Sequence, residues 1–400
     1  MEQSQTIDPK EIAQKTVFSI LFAIAFAHLL NDLLQAVIPA VYPILKDKYN
    51  LTFTQIGLIT FSYQMAASIL QPIIGLYTDK YPKPFSQIFG MLFTAAGIIS
   101  LAFADHFYLI IISVILVGIG SSIFHPEASR ISFLASGGKR GLAQSIFQLG
   151  GNAGTAIGPL LVALFVVPKG QIYIIGFVAI AILALLVLSR IAFWYQTHLS
   201  LRAKTKPLIV LPDLSQTQIF ISVIILLVLI FSKFFYMASM SSYFTFYLME
   251  KFQLSVQDAQ FHLFLFLASC ALGTLLGGPL GDKFGRKYVI WFSVLGVAPF
   301  TLLLPYANLF WTGVLSVIIG IIISSAFPAI LVYAQELLPK KLGMVSGLFY
   351  GFAFGMGGLG SAVLGYIADH TGIEYVYRIC AFLPLIGIIA FFLPNLRRKN

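Results

Sequence analysis

From residue 16 onward the chain alternates long apolar stretches with short polar punctuation, and the pattern recurs twelve times. The stretches cover residues 16–45, 53–78, 85–104, 107–134, 140–167, 171–194, 217–249, 257–280, 288–305, 309–335, 342–368 and 374–394. A helix needs roughly 20 apolar residues to cross a hydrocarbon core about 30 Å thick. Each stretch is of that order, so the pattern predicts an all-α membrane protein with twelve transmembrane helices.

Composition agrees. The 400 residues are 58% hydrophobic and only 10% charged, with a mean hydropathy of +0.91, which a water-soluble core cannot absorb. Cys270 and Cys380 both fall inside apolar stretches, where a thiol behaves as a small hydrophobe and neither a disulfide framework nor a metal spacing is available. The first stretch is too long for a signal-peptide core and lacks a cleavage pattern, so helix one is expected to remain in the mature protein.

A net charge of +10 would suggest nucleic acid in a soluble chain, but here the cations sort by side of the membrane. One set of loops and ends holds Lys10, Lys15, Lys80, Lys83, Lys139, Arg140, Arg202, Lys204, Lys206, Lys283, Arg286, Lys287, Lys340, Lys341, Arg397, Arg398 and Lys399. The opposite loops hold only Lys46, Lys48, Lys169 and Lys251. Cationic loops resist translocation, so both termini are expected in the cytoplasm. The sequon Asn50-Leu51-Thr52 falls in an outer loop, yet the short loops point to a bacterial inner membrane. The partners expected are a small-molecule substrate, protons and the bilayer, with no nucleic acid, and the chain is expected to be a monomer.

The longest polar stretch, residues 195–216, is basic and contains Pro207 and Pro212, as a linker would. It divides the chain into 1–194 and 217–400, six helices each. The halves echo one another. Gly75-Leu76-Tyr77-Thr78-Asp79-Lys80 returns as Gly278-Pro279-Leu280-Gly281-Asp282-Lys283, and Ser121-Ser122-Ile123-Phe124-His125-Pro126 as Ser324-Ser325-Ala326-Phe327-Pro328. Two echoes in register predict two pseudo-symmetric six-helix bundles with substrate between them near mid-membrane.

Gly278 to Lys287, reading GPLGDKFGRK, matches the loop signature G-x-L-x-D-[RK]-x-G-[RK]-[RK] and resembles the major facilitator superfamily. The first copy departs from it, with Tyr77, Pro82 and Pro84 at signature positions. The resemblance implies the major facilitator fold, with Asp79, Asp282 and Arg286 as gating residues whose charges meet a helix N-terminus. It also implies that helices one, four, seven and ten line the cavity. More narrowly, His28-Leu29-Leu30-Asn31-Asp32, Gln71-Pro72, Phe124 to Arg130 and Gly150-Gly151-Asn152-Ala153-Gly154 resemble the fosmidomycin-resistance branch of bacterial drug exporters. That likeness implies proton-coupled efflux of a small phosphonate antibiotic. A proton symporter or a facilitator for a sugar or other metabolite is the alternative.

Charges inside apolar stretches cost about 2.5–3.5 kcal/mol each on insertion scales, so Asp32, Glu127, Arg130 and Lys233 should face one another or water. Asp32 is the first candidate proton carrier, Glu127 the second, and His125, just before Pro126, a possible relay or a packing residue. His28 and Asp32 share a helix face at a spacing of four, as do Glu127 and Arg130 at three. The latter pair is either functional or a structural ion pair. Arg130 and Lys233 offer cations to an anionic substrate, with Lys233 alternatively pairing with Asp32. Tyr236, Gln64, Gln148, Asn152 and Tyr333 could supply neutral hydrogen bonds. His262 and Arg378 fall near the outer face, where snorkelling accounts for them.

Glycines recur every fourth residue on helix five (Gly150, Gly154, Gly158), helix eight (Gly273, Gly277, Gly281) and helix eleven (Gly343, Gly347, Gly351, Gly355). Such stripes allow close, sliding contact where halves rock, and equally serve static packing. Gly154 to Pro159 is similar to the exporter motif core on helix five, which favours antiport over symport. No metal-ligand spacing, nucleophile elbow or P-loop is present, so no enzyme, metal or cofactor is expected.

Overall fold

Without water, backbone N–H and C=O groups must be satisfied within the segment that crosses the bilayer, which leaves helix as the solution for these runs. The computed structural model describes residues 16–202 and 213–396. Lys10 and Lys15, the linker residues Lys204, Lys206, Pro207 and Pro212, and the tail cations Arg397, Arg398 and Lys399 lie outside the described residues.

Among the described residues twelve helical rods are seen: α1 Phe18–Tyr49, α2 Phe53–Lys80, α3 Ser86–Phe103, α4 Phe107–Ala135, α5 Arg140–Val166, α6 Gln171–Leu199, α7 Gln216–Phe252, α8 Val256–Phe284, α9 Arg286–Tyr306, α10 Leu309–Leu337, α11 Leu342–Thr371 and α12 Ile373–Phe392. Among the described residues, eleven are long and apolar enough to cross a membrane. The other, α2, has 28 residues but interrupts its apolar positions with Gln55, Gln64, Gln71 and several threonines. Polar side chains there are tolerated because α2 packs along α4 and α11, which shelters Thr60, Gln71 and Thr78 from lipid.

Starts and breaks follow local chemistry. Thr52 with Gln55, and Ser215 with Gln218, form reciprocal capping boxes at the N-termini of α2 and α7, satisfying donors that a first turn leaves open. Proline removes a backbone donor: α1 is interrupted at Val41, two residues after Pro39, and α10 at Ser325, just ahead of Pro328. α6 runs as α-helix to Arg202, and α7 starts at Gln216, so helix intrudes into the stretch expected to be linker. The last ten residues of α12, Leu383–Phe392, form 3₁₀-helix.

Large apolar side chains such as Phe22, Ile73, Leu186, Phe220, Phe292 and Phe392 face outward, the reverse of a soluble protein's surface and the arrangement lipid requires. Polar and charged side chains from the same rods are turned inward. Within the first six rods α1 packs on α5, and α2 and α3 on α4. Within the last six, α8 packs on α10, and α7 on α11 and α12. α2 against α11 and α5 against α8 join the two sets.

The glycine stripes divide by partner. Those on α5 lie on the α1 backbone at Ala25 and Leu29 and on Ala36. On α8, Gly273 and Gly277 meet the α10 backbone at Ile321 and Ser325, while Gly281 has no backbone so close. Only the α11 stripe, meeting α2 at Gly75, Gln71 and Ser68, lies where the two sets of six helices meet. Of the two readings of the stripes, sliding contact between halves and static packing, α5 and α8 fit the second, using theirs to pack inside their own set. Where α8 does touch α5, the close approach is at Gly278, against Gly141 and Ser145.

Candidate functional site

A cavity of about 170 Å³ lies between the two sets of helices, walled by α1, α4, α5, α7, α8, α10 and α11. Its floor is built by α1 and α4. His28 and Asp32 sit one turn apart on α1, and His28 Nε2 lies 3.1 Å from Asp32 Oδ2. His125 comes from α4, its Nε2 3.6 Å from Asp32 Oδ1. The side chains of His28 and His125 are 3% and 1% exposed against 17% for Asp32, so the carboxylate is the most open of three groups that all line the cavity.

A second layer holds this group in place. The carbonyl oxygen of Phe147 on α5 accepts from His28 Nδ1 at 2.8 Å. His125 Nδ1 lies 3.1 Å from the Ser121 carbonyl oxygen, which accepts from it. Asn31 Nδ2 donates to Asp32 Oδ1 at 2.9 Å and Gln35 Nε2 at 3.4 Å. Gln35 Oε1 in turn accepts from the hydroxyls of Tyr63 and Ser121. Each imidazole's orientation is therefore set by a backbone acceptor.

The opposite wall carries one cation. Lys233 on α7 is 5% exposed, and its ammonium stands 5.4 Å from the ring centroids of Phe234 and Phe327, within cation–π reach. Among the described residues it has no ion pair, so the alternative of a Lys233–Asp32 bridge is corrected: Asp32 is occupied by the two histidines, although both side chains line the same cavity. Gln148 and Asn152 line it as well and are already engaged. Gln148 Oε1 accepts from Tyr350 on α11 at 2.6 Å, and Asn152 Nδ2 donates to Thr274 Oγ1 on α8 at 2.5 Å. Both bonds cross between the two sets of helices.

Arg130, Glu127, Tyr236 and Gln64 do not line this cavity. Arg130 Nη2 is bonded to Asp79 and Nη1 donates to the Thr78 carbonyl, with Glu127 Oε1 3.1 Å away. The expectation of a vestibule shared by Asp32, Arg130 and Lys233 is thus corrected for Arg130, whose guanidinium is drawn to the end of α2 by a second carboxylate that motif reading had not connected to it. Tyr236 is buried with its hydroxyl unpartnered among the described residues, and Gln64 abuts Gly357 and Gly358 of α11. Tyr333 donates to the Pro394 carbonyl at 2.6 Å, away from the cavity.

The gating aspartates take related positions. Asp79 accepts from Arg130 and from the backbone amides of Gly343 at 3.1 Å and Met344 at 2.8 Å, at the start of α11. Asp282 accepts from Arg286 at 2.9 Å and lies against Gly141 and the Leu142 amide in the first turn of α5. Arg286 also reaches Glu336 at 3.1 Å. At the other end of the bundle Asp369 of α11 accepts from the Phe53 and Thr54 amides at 3.1 and 2.8 Å, capping α2. Sequence reasoning did not select Asp369, nor His28, Tyr350, Thr274 and Phe327 as site residues. Only His28, four residues before Asp32, had a local signal.

The profile of the Major Facilitator Superfamily matches residues 24–257 and 229–400. The chain belongs to the major facilitator superfamily. It is a multi-pass membrane transporter and not an enzyme. The fosmidomycin resistance protein of Escherichia coli (strain K12) is 59% identical over 387 residues, spanning 96% of this chain and 95% of that relative. YfnC, an uncharacterized MFS-type transporter of Bacillus subtilis (strain 168), is 45% identical over 88% of this chain and 87% of its own length. Among solved structures, the human organic anion transporter MFSD10 (TETRAN) superposes with a TM-score of 0.70 at 15% identity, covering 94% of this chain and 99% of that chain. FucP in the outward conformation superposes at 0.66 and 17% identity, over 94% and 98%. These two superpositions carry the major facilitator fold alone.

Proposed function

We propose that this transporter exports an anionic phosphonate such as fosmidomycin across a bacterial inner membrane in exchange for protons. The observation that carries the reading is the pairing of opposite chemistries across one cavity: Asp32 with its histidines on α1 and α4, and the uncommitted ammonium of Lys233 on α7. The 59% identity to a fosmidomycin resistance protein supports the choice of substrate. An anion entering beside Lys233 gains a desolvated cation that no carboxylate among the described residues neutralises, an interaction stronger than at a surface. Asp32 would take the proton, with His125 beside it as relay.

Both termini lie in the cytoplasm in this reading, as the loop cations require. Residues 1–194 and 217–400, joined by 195–216, then rock against each other along α2–α11 and α5–α8. Asp79, Asp282 and Arg286 close the cytoplasmic end, and Glu127 supports Arg130 there.

Energised everted vesicles test the proposal. Adding fosmidomycin should dissipate the proton gradient, and Asp32→Asn should reduce that signal to background while expression is retained. Lys233→Ala should weaken anionic substrates far more than cationic ones. A gradient that stays unchanged in the wild type sinks the antiport claim.

A further inference from the structure

We infer that His28, Asp32 and His125 form a binding site for a first-row transition-metal dication, such as zinc or cobalt(II), inside the cavity. A carbonyl oxygen can only accept, so the Nδ1 atoms that face the Phe147 and Ser121 carbonyls carry hydrogens. In a neutral imidazole the other nitrogen then bears a lone pair. His28 Nε2 lies 3.1 Å from Asp32 Oδ2 and His125 Nε2 3.6 Å from Oδ1, His28 Nε2 has no hydrogen-bond partner among the described residues, and its side chain is 3% exposed. Two buried nitrogen acceptors facing a carboxylate acceptor demand something positive between them.

The geometry suits a metal ion. One ligand atom from each residue can be chosen so that all three lie within 4.8 Å of one another. With metal–ligand bonds of about 2.1 Å, neighbouring ligand atoms stand roughly 3.0 Å apart in an octahedron and roughly 3.4 Å in a tetrahedron. His28 Nε2 stands 3.1 Å from Asp32 Oδ2 and His125 Nε2 3.6 Å from Oδ1, so the two rings approach the two oxygens of one carboxylate at about these edge lengths. Histidines that bind a metal through one nitrogen typically donate the other N–H to a carbonyl or carboxylate, which fixes ring and tautomer. That is the arrangement of both rings. Two imidazoles and one carboxylate suit zinc, cobalt and iron, and the three ligands leave coordination positions open toward the cavity. A dication on one carboxylate leaves a net charge of +1 across from Lys233, so the open positions would receive an anion.

The readout is binding, with no substrate and no gradient, so it stands or falls separately from phosphonate export. Titrating the purified full chain in lipid nanodiscs with cobalt(II) should give visible d–d bands saturating at one ion per chain. Magnesium, which prefers oxygen ligands, should give no competition. His28→Gln, His125→Gln and the near-isosteric Asp32→Asn should each weaken cobalt binding at least about tenfold. His370→Ala, on a histidine at the far end of α11, should leave it unchanged. Elution as a monodisperse peak identifies variants that have folded. Wild-type protein without d–d bands, or folded triad variants that bind cobalt as the wild type does, would overturn the inference and leave a shared proton as the occupant.

Discussion

Asp79 and Asp282 hold one position in two copies of one loop, and the copies grip differently. The second copy carries the full signature, whereas the first replaces its glycine and base with prolines. Yet Asp79 gathers the buried Arg130 and two backbone amides of α11, while Asp282 has the partly exposed Arg286 and rests against the start of α5. Counting from the prolines shared by α4 and α10, Glu127 and Arg130 correspond to Ala329 and Val332. The second copy therefore lacks an internal guanidinium and recruits Arg286 from its own loop, braced by Glu336. Agreement with a signature reports ancestry of the loop, whereas the strength of the contact depends on what the next helix presents to it.

Four substitutions sharpen or break this comparison in a Cys380→Ser background, where Cys270 in the cavity wall is the remaining thiol for an impermeant maleimide. Asp79→Asn removes one of the two carboxylates on the buried Arg130 and the anionic acceptor of two α11 amides, at a cost of about 3 kcal/mol. Labelling of Cys270 from the loop-signature side should then accelerate by roughly a hundredfold, a factor of ten per 1.4 kcal/mol. Gly75→Ala sets a Cβ into the Gly343 carbonyl; overpacking of about 2 kcal/mol should raise the same rate roughly thirtyfold and lower the melting temperature. Asp282→Asn, on the more exposed pair, should cost below about 1 kcal/mol and change the rate only a few-fold. If Asp282→Asn exceeds Asp79→Asn, the ranking of the two latches is wrong. Asp369→Ala removes a cap on α2 worth about 1 kcal/mol or less, and its smaller effect should appear from the opposite face alone.

The two walls of the cavity differ in a similar way. The first six helices bring the carboxylate and both imidazoles, in Asp32, His28 and His125, with Gln148, Asn152 and Thr155, while Thr274, Ser324 and Tyr350 add hydroxyls from the last six. The last six bring Lys233 amid Phe234, Phe327, Tyr350 and Phe354. An apolar and aromatic wall lowers the local dielectric and strengthens the field of its single cation, while a polar wall can exchange a proton without a large reorganisation.

Much of the architecture was legible in the chain. Apolar length is a local transfer property, so twelve runs became twelve rods with boundaries within a few residues apart from the end of α6, and the Thr52 and Ser215 caps are written in adjacent residues. The spacing of four between His28 and Asp32 likewise placed them on one face. Three features depended on tertiary structure: His125 meeting Asp32, Arg130 leaving the cavity for Asp79, and the assignment of each glycine stripe to a partner helix. Periodicity fixes which face a residue occupies but not which helix that face meets. A buried charge goes to whichever opposite charge the packing brings nearest, and for Arg130 that is settled by the approach of α2 to α4, which no local pattern encodes.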